Sequence, residues 1–231
     1  MNKIDANRRS FFLRLWSDLS KFVESDKSLH LRLQSKLSKN RSIGSQDRQI
    51  YRELVYTTLR YLPWIQGTDL DRRSQVIAWL SQGKSINKSY RPNQLQNDFP
   101  YDVPDTLIEK AKILNEIIVP TRQFVYNPKD LIPSWFHSPF HSPLIFSSPH
   151  LDFINKRANI WIRMQCNQED HREFVIREFR ENQWITSDET TNPSVLPDAI
   201  SLFPDTKIEN SLSFKQGLVE IQDIGSQLVL K

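Results

Sequence analysis

The run SQDRQIYRELVYTTLRYLPWI, residues 45–65, carries the longest helical periodicity in the chain. Ile50, Tyr51, Leu54, Val55, Thr58, Tyr61 and Leu62 fall on one side of a helix at 100° per residue, and that side must be buried against several partners. The other side holds Arg48, Arg52, Tyr56 and Arg60 within about a third of the circumference, a basic strip with one aromatic. Ser45 is the expected N-cap after Ile43-Gly44, and Pro63 is expected to end or kink the helix.

The neighbouring sequence supplies the partners. Residues 11–23 place Phe11, Leu15, Leu19 and Phe22 on one face, widened by Phe12, Trp16 and Val23, while Leu29, Leu33 and Leu37 mark a second helix that ends near Asn40. RRSQVIAWLSQGK reads as a fourth helix with Gly83 at its C-cap, and DTLIEKAKILNEIIV, after Pro104, as a fifth. SYRPNQLQNDFPYDVP is polar and interrupted by prolines, a long loop within the same all-α bundle. From Pro120 to about Pro149 the chain turns Pro-, Ser- and aromatic-rich and loses periodicity, as a connector does. Beyond it, RANIWIRMQ alternates like a strand. QEDHREFVIREFRENQWI is an amphipathic helix with Phe174, Ile176, Phe179 and Trp184 as apolar residues, and AISLF and GLVEIQD offer two more short strands. The expected fold class is α+β: a helical bundle at 4–120, a Pro-rich connector at 121–150 and a small α+β module at 151–231.

Composition narrows the chemistry. At about 150 residues per domain, 231 residues make one large domain or two small ones. No apolar run reaches the length of a membrane span and the N-terminus has no uninterrupted apolar core, so the expectation is a cytoplasmic protein with no membrane partner. Cys166 is the sole cysteine, so no intramolecular disulfide or thiolate-rich zinc site is expected, and the five glycines form no phosphate-binding loop. The net charge of +4 divides unevenly: residues 1–100 hold 18 Lys+Arg against 9 Asp+Glu, and residues 101–231 hold 13 against 18. A basic first part facing a polyanion accounts for that split, and so does an ordinary solvated surface.

Residue by residue, no complete active site emerges. His137 and His141 have the spacing of two ligands on a helix, but Pro139 lies between them. Cys166 lacks the basic surroundings of a nucleophile and reads as a half-buried structural thiol. Asp102, Asp105, Glu169 and Asp170 are explained as charges at helix starts. The basic set Arg32, Lys36, Lys39, Arg41, Arg48, Arg52 and Arg60 is suited to phosphate contacts, or is a solvated face.

Residues 44–61, GSQDRQIYRELVYTTLRY, resemble the central helix of the NusB-like domain that opens bacterial ribosomal RNA cytosine-5 methyltransferases of the RsmB type. Ile132-Pro133-Ser134-Trp135-Phe136 resembles that family's P-x-W segment. Arg157 to Arg163 is similar to its R-x-P-x-W-x-R strand, with Asn159 in place of proline, and Phe214 to Leu228 to its F-x-x-G-x-x-x-x-Q-D-x-x-S-Q-L segment. The resemblance implies an all-α NusB-like RNA-binding bundle, then a pre-catalytic α+β module leading to a Rossmann-like methyltransferase domain. It places Gln222-Asp223 and Ser226-Gln227 at the threshold of that domain and leaves its S-adenosylmethionine loop and both catalytic cysteines outside these residues. Adding a thiolate at C6 of cytosine is what makes C5 nucleophilic, so without those groups no methylation is expected from these residues and no cofactor bound by them, although the full-length family enzyme takes S-adenosylmethionine.

The expected role is RNA binding and placement of the target. Small-subunit ribosomal RNA is the partner, with a separately encoded catalytic domain as a further one. Candidate RNA contacts are Arg41, Arg48, Arg52 and Arg60, with Arg163 on the strand; no catalytic, cofactor or metal residues are expected. A stand-alone NusB-like module that binds RNA or protein without methylation is the alternative, and an inactive remnant with exposed apolar surface a third.

Overall fold

Helix α1, Lys3–Ser20, starts well before the apolar stripe at Phe11, because its first turns are held by tertiary charge contacts rather than by apolar burial. Asp5 is buried, and Arg8 sits 3.7 Å from it while reaching Asp47 at 2.8 Å. The helix stops at Ser20, so Phe22 and Val23, expected within it, lie in the turn that follows. Helix α2, Leu29–Lys39, buries Leu33 and Leu37. Helix α3, Ser45–Arg60, buries Ile50, Tyr51, Leu54 and Val55, as its periodicity requires. Its N-cap is Gly44 in an extended conformation, one residue before the expected Ser45.

Tyr61 separates α3 from α4, Leu62–Gly67, and Pro63 falls in the first turn of α4, where a missing N–H breaks no helical bond. Helix α5, Leu70–Leu80, is capped at Ser81; the expected C-cap Gly83 lies outside the described residues. Helix α6 is Leu107–Ile118 and α7 is Ser148–Asn155. The computed structural model describes residues 3–82, 86, 90, 99–100, 102–118, 124–132, 147–186 and 196–229. By contacts the chain divides into two compact units, Met1–Lys156 and Arg157–Lys231.

The core of the first unit is one cluster that includes Phe12, Leu19, Leu37, Leu54, Trp64, Trp79 and Leu114. Residues 124–132, expected within the connector, pack into it. Asn115 bonds both the N–H and the C=O of Tyr126, at 2.8 and 3.1 Å, and the Tyr126 hydroxyl lies 2.8 Å from that of Thr68. The Trp64 indole donates to the Asn127 carbonyl at 2.9 Å. Gly67 is required here, because a Cβ at that position would meet the Phe124 ring at 2.6 Å.

The second unit is a three-stranded antiparallel sheet with short helices, which makes the chain α+β. Strand β1, Ile160–Met164, is central, between β2, Ala199–Leu202, and β3, Val219–Ile221; Ile162 faces Ile200 on one side and Ile221 on the other. Helix α8, Glu169–Glu181, lays Val175 and Phe179 on a core with Ile162, Met164, Leu202, Ile208 and Val219. It ends before Trp184, which was expected inside it, because Gln183 takes a left-handed φ of 56° and turns the chain out of the helix.

Two helices complete this unit: α9, Leu212–Lys215, and α10, Ile224–Val229. The Glu178 carboxylate accepts the Leu212 and Ser213 N–H groups at 2.7 and 3.0 Å, together with the Ser213 hydroxyl. It thereby fastens α8 to the start of α9. Buried Gln227 donates to the carbonyls of Ile162 and Gln222, at 3.3 and 2.9 Å, tying α10 to the central strand.

Two stability changes follow from this packing. Leu54→Ala is expected to cost about 2–5 kcal/mol in denaturant unfolding, and Arg52→Ala, on the opposite face, less than about 0.5 kcal/mol. Burial alone raises the Glu178 carboxyl, but the bonds from Ser213 and Leu212 and the charge of Lys215 outweigh it and hold the group below the ordinary carboxylate value of 4.5. With the folded-state value depressed, the stabilisation is complete above pH 4.5 and is lost as pH falls below it. Glu178→Gln should flatten the acid limb of a melting-temperature-against-pH curve, and an unchanged limb would show that Glu178 does not fasten the two helices.

Candidate nucleic-acid interface

Burial of Ile50, Leu54 and Val55 dictates which side chains of α3 meet solvent. Arg52 is exposed, Arg48 and Arg60 are half-buried, and Tyr56 is 39% exposed among them. At 1.5 Å per residue the three arginines climb about 18 Å of helix. The acidic residues of the same helix are otherwise engaged. Asp47 pairs with Arg8, and buried Glu53 accepts from the Thr57 hydroxyl at 3.4 Å and the Gln82 N–H at 3.2 Å. The outward surface from Arg48 to Arg60 is therefore basic and aromatic, with no carboxylate.

Pairing sorts the basic residues that the sequence groups together. Arg32 bonds Asp26 at 2.7 Å and lies 3.9 Å over the Phe22 ring, and Lys36 meets Asp18 at 2.7 Å, so both charges are offset. Among the described residues Arg41, Arg48, Arg52, Arg60 and Arg163 make no ion pair, and the buried Nε of Arg48 has no hydrogen-bond partner. An unsatisfied buried donor of that kind costs about 1–3 kcal/mol. Arg48, Arg52 and Arg60 share one helix face, and Arg41 occupies the exposed turn that leads into the same helix. Arg163 belongs to the second unit, on β1, half-buried and registered opposite Glu220 and Ala199.

One basic residue escaped the sequence reading. Lys110 is 3% exposed, and its ammonium donates to the Tyr61 hydroxyl at 3.5 Å and the Asp105 carbonyl at 3.2 Å. Burial lowers its pKa; the charges of Asp105 and Asp152 oppose that shift, and Arg60 and Lys156 add to it. Burial likewise pushes the Tyr61 phenol up to about 12. The signal was present in the sequence, since Lys110 shares a face with Leu107, Ala111 and Leu114, a cation at a core position.

The remaining candidates have structural places. The half-buried Cys166 thiol donates to the Leu218 carbonyl at 3.3 Å, and burial raises its pKa, the opposite of what a nucleophile needs. Glu169 and Asp170 occupy the first turn of α8. Asp223, in the segment that resembles the Q-D-x-x-S-Q motif, accepts the N–H groups of Gly225 and Ser226 at 2.8 and 3.4 Å and so opens α10, while Gln227 anchors it. His137 and His141 lie outside the described residues.

The described residues do not fit S-adenosylmethionine. Their sheet is antiparallel throughout, without the parallel strand–turn–helix crossing whose glycine loop receives such a cofactor, and Gly67 and Gly217 serve a ring contact and a tight turn of φ 70°. No group of three or more metal-binding side chains occurs among them, and none of their helices is long and apolar enough to cross a membrane. No family model matches the sequence, and no curated protein matches it.

The pairing pattern has a direct readout on a polyanion column. Arg52→Ala and Arg60→Ala should each elute at lower salt than the unaltered protein, whereas Arg32→Ala and Lys36→Ala should shift elution less, because those charges are already offset. Equal shifts for all four would mean that net charge alone controls retention.

Proposed function

We propose that this chain binds RNA through the outward face of α3 and acts as the NusB-like, target-placing part of an RsmB-type ribosomal RNA cytosine-5 methyltransferase. The observation that carries the RNA reading is the surface of Arg48, Tyr56, Arg52 and Arg60: among the described residues these arginines make no ion pair and α3 presents no carboxylate beside them, whereas Arg32 and Lys36 of α2 are paired. Phosphate contacts need unpaired, accessible positive charge, and an exposed ring offers a stacking surface beside them. The methyltransferase part of the reading is supported by the resemblance of residues 44–61, 157–163 and 214–228 to that family's segments.

In this reading the chain's own chemistry is binding and orientation. Attack at C6 of cytosine requires a thiolate, and Cys166, the one cysteine of these residues, is a hydrogen-bonded thiol with a raised pKa. The thiolate and the methyl donor therefore come from outside the described residues. Binding energy from α3 would hold the RNA while that chemistry proceeds.

Filter binding to a small-subunit ribosomal RNA fragment over a range of salt concentrations tests the RNA reading. Neutralising three phosphates predicts a log–log slope of about −2 to −3, reduced in magnitude by about 1 in Arg52→Ala. Salt-independent binding, or a slope indifferent to Arg48→Ala and Arg52→Ala, would sink it. In calorimetry S-adenosylmethionine should give no binding heat with this chain, and micromolar binding would overturn the statement that its residues do not fit that cofactor.

A further inference from the structure

A cavity of about 300 Å³ opens beside the C-terminal part of α1, the turn after it, and helices α4 and α5, bordered by Trp16, Lys21, Glu24, Leu62, Gln66 and Arg73. Its volume is at the lower end of the range for small-molecule sites, enough for one ring system with its attachments and too small for a dinucleotide cofactor. Trp16 is half-buried, packs against the helical core and lines the cavity. The indoles of Trp64 and Trp79 each donate to a backbone carbonyl, at 2.9 and 3.1 Å, whereas Trp16 makes no hydrogen bond among the described residues. An aromatic ring with a free N–H at a cavity wall is a stacking surface with a polar handle.

The polar lining is positioned as well. Arg73 donates Nε to the Thr68 carbonyl and Nη2 to the Gln66 carbonyl, both at 2.9 Å, which pins its guanidinium on the C-terminal end of α4 and leaves Nη1 uncommitted among the described residues. Held in this way, the cation loses little entropy on meeting an anion. The Gln66 amide supplies a donor and an acceptor, Glu24 a second acceptor and Lys21 a second cation. Aromatic face, amide, carboxylate and cations in one small cavity match the face, edge and phosphate of a nucleotide.

We propose that this cavity receives one unpaired nucleobase of a single-stranded RNA, stacked on Trp16, with its edge met by Gln66 and Glu24 and its phosphate by Arg73 and Lys21. The proposal rests on the RNA reading above and deepens it. The arginines of α3 hold backbone of any sequence, while this cavity accepts a base only where the strand is unstacked. A duplex keeps its bases in the stack, so the site distinguishes single-stranded from paired RNA. A free mononucleotide carries the same chemistry, and the experiment separates the two sources.

The test uses the full chain and fluorescein-labelled RNA, as a mixed-sequence single strand and as a blunt duplex of equal length, read by anisotropy. Trp16→Ala should weaken single-strand binding roughly 5- to 100-fold, leave duplex binding unchanged and leave the salt slope intact, whereas Trp16→Phe should bind nearly as the unaltered protein does. Gln66→Ala and Glu24→Gln, on exposed side chains, should alter the preference among A-, C-, G- and U-homopolymers, and they carry the test if Trp16→Ala melts abnormally in circular dichroism. Nucleoside monophosphates should compete weakly. If the unaltered chain binds no RNA, both the functional reading and this site fail. If RNA binds with the expected salt slope but is indifferent to Trp16→Ala and Gln66→Ala, only the base site fails. Monophosphates that bind as tightly as the oligonucleotide would give the cavity to free nucleotides and overturn its assignment to RNA.

Discussion

The apolar side of α3 is the constraint on which the helical unit depends. Ile50, Leu54 and Val55 are fully withdrawn from water, and α1, α4 and α5 gather around them because each carries a stripe with no other place to be buried. A helix fixed along one side has no freedom of rotation left. Arg52 and Tyr56 are therefore exposed as a consequence of how Leu54 packs, and the basic strip is the reverse face of the core.

Packing decided which side chains meet water, and pairing decided which charges remain active there. Arg8 is absorbed by Asp5 and Asp47, Arg32 by Asp26 and the Phe22 ring, and Lys36 by Asp18. In the second unit Arg157 and Arg172 meet Asp205 and Asp198. The asymmetry of charge along the chain is thus a poor guide to local potential. Among the described residues the three arginines on α3 make no ion pair, while Asp47 of the same helix is paired with Arg8 and Glu53 is buried away from the outward face.

Much of the element order was legible from periodicity, since the helices at Leu29–Lys39, Ser45–Arg60 and Leu107–Ile118 and the strand at Ile160–Met164 all carry a regular apolar pattern. The illegible parts were those set by contacts distant in sequence. The first turns of α1 rest on Arg8–Asp47, and Tyr126 is drawn into the core by Asn115 and Thr68, although its segment has no period of its own. The strip Arg48, Arg52 and Arg60 was readable on a helical wheel. The cavity beside Trp16 was not, because its walls come from α1, α4 and α5, and Trp16 by itself reads as one more core residue.

By itself the sequence determined the longer helices and the strands, and which face of each is apolar, because those properties depend on neighbours three, four or two residues away, while the short helices Leu62–Gly67, Ser148–Asn155, Leu212–Lys215 and Ile224–Val229 carry too few turns to show a period. It also determined that one cysteine and few glycines leave little material for thiolate or phosphate-loop chemistry. Only the tertiary structure decided which cations are free, that Lys110 lies buried under Tyr61, and that Arg73 is pinned at the wall of a cavity. Each of these is a meeting of residues brought together by burial of the core, and the free energy of that burial is not a property of any one segment.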